Sequence, residues 1–171
     1  MHTSPDMAQH TQGRRTITIE RTFTATIEEV WDMWTTKDGL ESWWGPEGFV
    51  TEVRKIDLRP GGILDYVMIA VAPEQIEFLK RSGMSATTPT KVTYIEVMPH
   101  RRLSYLSRAD FISGVEPYDV MTTVEFLTEA DRVRMVMTFD AMHDAFWTNM
   151  AVMGWESQVS KLERVLSASG A

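Results

Sequence analysis

The sequence predicts an α+β fold in which a curved antiparallel sheet of seven strands closes over one long C-terminal helix. Three observations lead there. Between positions 49 and 140 the chain breaks into short alternating segments divided by tight-turn signals. Before them stands a capping box, Thr26-Ile27-Glu28-Glu29, after a single alternating strand. From Ala145 to about Ala168, Trp155, Val159, Leu162 and Leu166 recur at helical spacing. Strands joined by tight turns are antiparallel, because parallel neighbours need a long crossover.

In order, Thr16–Ala25 alternates Ile17, Ile19 and Phe23 with Thr18, Glu20 and Thr22, the period of a half-buried strand. The capping box opens a short helix carrying Val30, Trp31 and Trp34 on one face, with both tryptophans assigned to the core. Asp38-Gly39-Leu40-Glu41 reads as a second helix start, ending near Trp43. Strands are expected over Phe49–Asp57, Ile63–Val71, Thr90–Val97, Arg102–Ala109, Tyr118–Leu127 and Arg132–Asp140. Arg59-Pro60-Gly61-Gly62 makes one hairpin turn, Thr128-Glu129-Ala130-Asp131 another, and Met98-Pro99-His100-Arg101 reads as type I. Pro73-Glu74-Gln75 starts a two-turn helix inside the longer Pro73–Pro89 connection, expected to cover one end of the cavity as a lid or to form a dimer contact. Asp144 is the expected N-cap of the last helix, with Met150 and Met153 extending its apolar face.

The 171 residues suit one domain, read as a polar tail over 1–14 and a folded unit over 15–171. The absence of cysteine excludes disulfides, thiol nucleophiles and thiolate zinc sites. A net charge of −7 argues against nucleic acid and anionic membrane surfaces as partners. The longest apolar run, Tyr66 to Ala72, is too short to span a bilayer, and no secretory h-region opens the chain, so a cytoplasmic location is expected.

Architecture predicts a cavity. Seven twisted strands curl, and one helix about 10–12 Å across does not fill their concave side. The inward parity collects Leu64, Tyr66, Met68, Leu103, Tyr105, Val124, Phe126, Met135, Met137 and Phe139, rich in adaptable methionine and aromatic rings. The expected ligand-binding set is Trp43 at the rim, Tyr66, Met68, Tyr105, Val124, Met135 and Met137 from the sheet, and Met150, Gly154 and Trp155 from the helix. For any single apolar member core packing is the stronger reading, because core residues outnumber pocket-lining ones. Gly154 is the sharper signal, because glycine within a helix costs about 1 kcal/mol. It makes room for a cavity, or it permits close packing against a strand.

Four segments carry a resemblance: Ile17-Thr18-Ile19-Glu20-Arg21 through Val30-Trp31, Trp43-Trp44-Gly45-Pro46-Glu47-Gly48-Phe49, Asp57-Leu58-Arg59-Pro60-Gly61-Gly62, and Gly154-Trp155 through Leu162. Over roughly residues 15–168 the chain resembles the heat-shock-protein-90 ATPase activator-like (AHSA-type) family of the START/Bet v 1-like (SRPBCC) superfamily. That resemblance implies the helix-grip fold with an apolar cavity between sheet and helix. The eukaryotic chaperone activator carries a further N-terminal domain for which this chain has no room, which ranks chaperone activation below other readings.

Conventional catalytic signatures are missing from the sequence. The four histidines, His2, His10, His100 and His143, lack the spacing of a helical metal site, and neither a nucleophile elbow nor a phosphate-cradling loop occurs. Asp65 alternates with Tyr66 and so faces solvent, while Asp57 and Arg59 pair across their hairpin. Asp140 and His143, near the predicted cavity mouth, form the pair best suited to general-base work, although no catalytic residue is assigned. The leading expectation is binding of an apolar small molecule without metal or cofactor. A cyclase or dehydratase using the same cavity ranks second and a chaperone-interacting module third. A homodimer through sheet edges or loops is one assembly open to such a domain.

Overall fold

The computed structural model describes residues 15–110 and 112–169; the expected tail over 1–14 lies outside them. Seven strands form one antiparallel sheet in the order β1-β7-β6-β5-β4-β3-β2. They are β1 (Thr16–Phe23), β2 (Phe49–Ile56), β3 (Ile63–Ala70), β4 (Thr87–Met98), β5 (Arg102–Ala109), β6 (Tyr118–Glu129) and β7 (Arg132–Asp140). The helices are α1 (Ile27–Thr35), α2 (Lys37–Trp43), α3 (Pro73–Arg81) and α4 (Ala145–Ser169). This is the expected helix-grip arrangement. None of the described helices is long and apolar enough to cross a membrane.

The helix starts follow local chemistry. Thr26 Oγ1 accepts from Glu29 N–H at 3.1 Å while Glu29 Oε1 accepts from Thr26 N–H at 3.1 Å, the reciprocal capping box. The second start differs from expectation. Thr36, not Asp38, caps α2, its hydroxyl accepting from Gly39 N–H and donating to the Asp32 carbonyl. One threonine thus closes α1 and opens α2. Asp144 caps α4 by accepting from Trp147 N–H at 2.8 Å.

Two turns also repay inspection. His100 sits at φ 64° while Arg101 N–H donates to the Met98 carbonyl at 3.0 Å. With Pro99 before it, that geometry is a type II turn, not type I, because only type II takes a positive φ after proline. The His100 ring meets Trp31 edge-on at 5.9 Å, contributing tertiary packing at a position that otherwise favours glycine. At the β2–β3 turn a Cβ on Gly62 would overlap the Asp57 carbonyl oxygen, so only glycine fits. Arg59 Nε and Asp57 Oδ2 pair there at 3.0 Å, as the spacing suggests.

β4 begins at Thr87, three residues before the predicted start. Its pairing with β5 begins at Val92, so the stretch containing Pro89 pairs on one side alone, where a sheet tolerates proline. The core gathers the inner faces of all the strands, α1, α2 and the Val159–Leu162–Leu166 stripe of α4.

Candidate functional site

An aromatic cluster occupies the concave side of the sheet. Strand alternation turns Tyr66 (β3), Tyr94 (β4) and Tyr105 (β5) inward on adjacent strands, all buried. Trp34 from α1 meets Trp43 and Trp44 edge-on at 4.8 and 5.4 Å. Trp155, half-buried on α4, stacks on Trp34 at 6.1 Å and meets Trp44 at 5.5 Å and Phe139 at 6.2 Å. Trp44 also meets Tyr66 at 6.1 Å and Tyr105 at 6.4 Å. Edge-to-face contacts of this kind add about 0.5–1.5 kcal/mol each beyond burial.

Within the cluster lies a cavity of about 10 Å³ lined by Trp34, Leu40, Trp44, Leu64, Val92, Tyr94, Leu103 and Tyr105. That volume is close to the minimum for one water, roughly 10–15 Å³. The wide hollow expected from architecture is, among these residues, filled by the protein's own rings. Yet three of the lining residues carry buried polar atoms with no hydrogen-bond partner: Trp34 Nε1, Tyr94 Oη and Tyr105 Oη. Leaving such a group unsatisfied costs about 1–3 kcal/mol. Burial holds the phenols of Tyr66, Tyr94 and Tyr105 above the ordinary tyrosine pKa, strongly for the last two, so all three are neutral donors near pH 7.

A second feature flanks the cluster. The Gly45–Phe49 loop is tied to one side of α4. Ser157 Oγ accepts from Glu47 N–H at 2.9 Å, Lys161 Nζ donates to the Gly45 and Phe49 carbonyls at 3.0 and 3.2 Å, and Arg164 pairs with Glu47. Burial lowers the Lys161 pKa below the ordinary lysine value. Gly48, at φ +90°, accepts from the N–H groups of Val71 and Ala72 just ahead of α3. A Cβ on Gly48 would sit 2.6 Å from Gln75 Cγ, so α3 rests directly on this loop.

The predicted site residues divide between these surroundings. Tyr66, Tyr105, Val124, Met135 and Met137 are buried on the concave side, and Met68 is half-buried beside them. Trp43 is fully buried, not at a rim, and its Nε1 donates to the Met33 carbonyl at 2.7 Å. Met150 and Met153 are 41% and 66% exposed, which corrects their placement on the inner face. At about 100° per residue, Met153 falls opposite Leu162 and Met150 about a third of a turn away from it. Asp140 and His143 also part company. Asp140 Oδ2 accepts from Met121 N–H at 3.0 Å, whereas His143 turns to Tyr118. The residues missed at sequence level are Trp34, Trp44 and Tyr94. Alternation of Val92 and Tyr94 with Lys91 and Thr93 was the signal for the last.

Space beside Gly154 is open, with nothing within 4 Å of an added Cβ. Close packing is therefore not what requires glycine there. A Gly154→Leu variant is expected to fold and to gain up to about 1 kcal/mol, read from urea unfolding. A loss of stability would show that this space is filled.

Among the described residues, no group of three His, Asp or Glu side chains could hold a metal. Residues 24–167 match the family model described as activator of Hsp90 ATPase homolog 1-like protein. The chain belongs to that family. Three solved structures illustrate the AHSA1-like fold shared with it. Protein CV1439 from Chromobacterium violaceum is 24% identical with a TM-score of 0.72, over 88% of this chain and 96% of that one. The AHSA1-like protein from Aeromonas hydrophila is 24% identical with a TM-score of 0.68, over 91% and 94%. CalU16 from Micromonospora echinospora is 18% identical with a TM-score of 0.61, over 90% and 77%. No curated protein sequence matches the chain.

Proposed function

We propose that this AHSA1-like protein binds a flat, largely apolar small molecule between the concave face of the sheet and α4, through one hydrogen-bonding group on the ligand. The observation that supports this reading is the set of unpartnered polar atoms, Trp34 Nε1, Tyr94 Oη and Tyr105 Oη, on residues around one cavity. Native interiors pair buried polar groups, so three exceptions around one space call for a missing partner. A ligand carrying an acceptor would offer a partner to donors of this kind, and the tryptophan rings would stack on its faces.

Entry requires movement, because the cavity as it stands holds about one water. Trp155 is the half-exposed member of the cluster and the open flank at Gly154 lies one residue away, so the indole has somewhere to swing. α3, resting on the Gly45–Phe49 loop, serves as the lid over that end.

The test uses matched ligands, 2-naphthol, 2-acetylnaphthalene and naphthalene, read by quenching of the six tryptophans and by thermal shift. Saturable quenching is expected for the first two, tighter than for naphthalene by about tenfold, the worth of one net hydrogen bond. At a hundred times the dissociation constant, the ligand adds about 2.7 kcal/mol to stability. No saturable signal with any of the three, together with an unchanged melting temperature, would reject the reading. The family description supports a second reading, stimulation of a heat-shock-protein-90 ATPase, for which the readout is ATP turnover by the purified chaperone with and without this protein.

A further inference from the structure

We propose that Tyr118, His143 and Asp144 form an acyl-transfer site in which the Tyr118 hydroxyl is the nucleophile toward neutral, activated esters. The site lies where β6 begins and β7 runs into α4, and it does not depend on the interior binding reading. Carrying the β6–β7 register four residues past Thr122↔Phe139 sets Tyr118 opposite His143. The side chains meet there: Tyr118 Oη lies 2.8 Å from His143 Nδ1. The backbone N–H of His143 donates to the same hydroxyl oxygen at 3.1 Å. His143 Nε2 lies 3.4 Å from Asp144 Oδ2, and the other carboxylate oxygen is held by Trp147 N–H at the start of α4.

The order of these contacts sets the direction of proton flow. In the imidazole tautomer protonated at Nε2, the Tyr118 hydroxyl donates to Nδ1 at 2.8 Å, in preference to the Met142 sulfur at 3.8 Å. The imidazole proton then faces the carboxylate. A hydroxyl, an imidazole within reach and an acid that orients the imidazole form the arrangement that activates a weak nucleophile. The backbone N–H adds a donor at the oxygen that becomes anionic as the proton leaves. Tyr66, Tyr94 and Tyr105 are buried in the core, whereas Tyr118 is half-buried and its contact with His143 reaches solvent.

Local charge selects the electrophile. Asp140, held by Met121 N–H, and Asp144 place two carboxylates at this end of the sheet, while Asp119 is offset by Arg108 at 3.9 Å. That field disfavours phosphates and carboxylates and leaves neutral esters as substrates. Phe146, 63% exposed in the first turn of α4, supplies apolar surface for an acyl chain. In the reaction the Tyr118 oxygen bonds to the acyl carbon as its proton passes to His143 Nδ1. The bond from that carbon to the leaving alkoxide or phenolate breaks, and the imidazolium proton neutralises the departing oxygen. Water, deprotonated by the same imidazole, then hydrolyses the tyrosyl ester and restores the hydroxyl.

The test treats the full chain with p-nitrophenyl acetate, following nitrophenolate release and locating the acetyl group by peptide mass spectrometry. The expected result is acetyl on Tyr118, formed at a rate that depends on the His143 imidazole. Tyr118→Phe and His143→Gln should each lower the rate by about 100-fold or more. Asp144→Asn keeps a good helix cap, so a merely structural role would leave the acetylation rate in place. A positioning role for Asp144 instead lowers that rate in Asp144→Asn, because the imidazole loses the carboxylate that orients it, and Asp144→Glu restores it. Near-ultraviolet circular dichroism checks that each variant keeps the native packing. Acetyl found on lysines with Tyr118 unmodified, or equal rates in the wild type and His143→Gln, would overturn the proposal. If Tyr118→Phe does not fold, acetylation of Tyr118 in His143→Gln decides alone.

Discussion

Trp34→Ala is expected to cost about 3–5 kcal/mol, the range for a large aromatic removed from a packed core, and so to bring the domain close to unfolding at room temperature. Trp34 is 1% exposed and holds Trp43, Trp44, Phe126 and Trp155 within 6.3 Å, so four rings lose a face at once. Trp34→Phe separates packing from polarity. It keeps most of the ring contact and removes an indole N–H that has no partner, so its expected cost is less than about 1 kcal/mol despite the lost volume. Urea unfolding at neutral pH reads both variants. Equal losses would mean that the N–H is satisfied, and the strongest support for a ligand acceptor would disappear. The alanine variant should also gain affinity for indole, which fills the space left and restores part of the melting temperature.

Stability is expected to fall steeply above about pH 10, by up to about 4 kcal/mol per pH unit. Burial raises the folded-state pKa of Tyr66, Tyr94 and Tyr105, which favours the neutral phenol. In the unfolded chain tyrosine ionises near pH 10. Below that pH both states carry the proton and the contribution is constant. Above it the unfolded chain releases up to three protons that the folded state retains, so stability falls until the folded-state values are reached. Urea midpoints measured from neutral pH into the alkaline range check this, with phenolate absorbance as the second probe. Tyr94→Phe and Tyr105→Phe should each remove about a third of the slope. A midpoint flat beyond pH 11 would show that these hydroxyls are not shut away from water.

Local rules carried most of the fold. The limits of β5 and β7 and the start of α4 match the pattern of alternation, turn residues and caps, because each depends on a few consecutive residues. The misses have long-range causes. Thr36 serves two helices at once, and β4 lengthens because β3 continues to pair with it past the point where β5 stops. Met150 looked internal because apolar residues on a helix were assigned to one stripe, whereas α4 is apolar on more than one side. The candidate site was half legible. Inward parity located Tyr66 and Tyr105, but it could not foresee that Trp34 from α1, Trp44 just past α2 and Trp155 from α4 converge on the same space. Tyr94 shares the inward parity of Val92, and the alternation breaks only after it, at the register shift between Tyr94 and Glu96. The Tyr118–His143 contact joins residues 25 apart, and only the sheet register reveals it.

The polar ties from α4 to β1 and to the Gly45–Phe49 loop begin at Glu156 and end at Arg164. The rod is therefore clamped at its rear, while its front is held by the short link from β7 and by Thr148 Oγ1, which accepts from Met142 N–H at 2.9 Å. Such a mounting turns the stretch between Thr148 and Glu156 into a bridge arm that carries Trp155 beside the rear clamp. Deflection of that arm by a few ångströms would widen the aromatic interior without disturbing any of the seven strands.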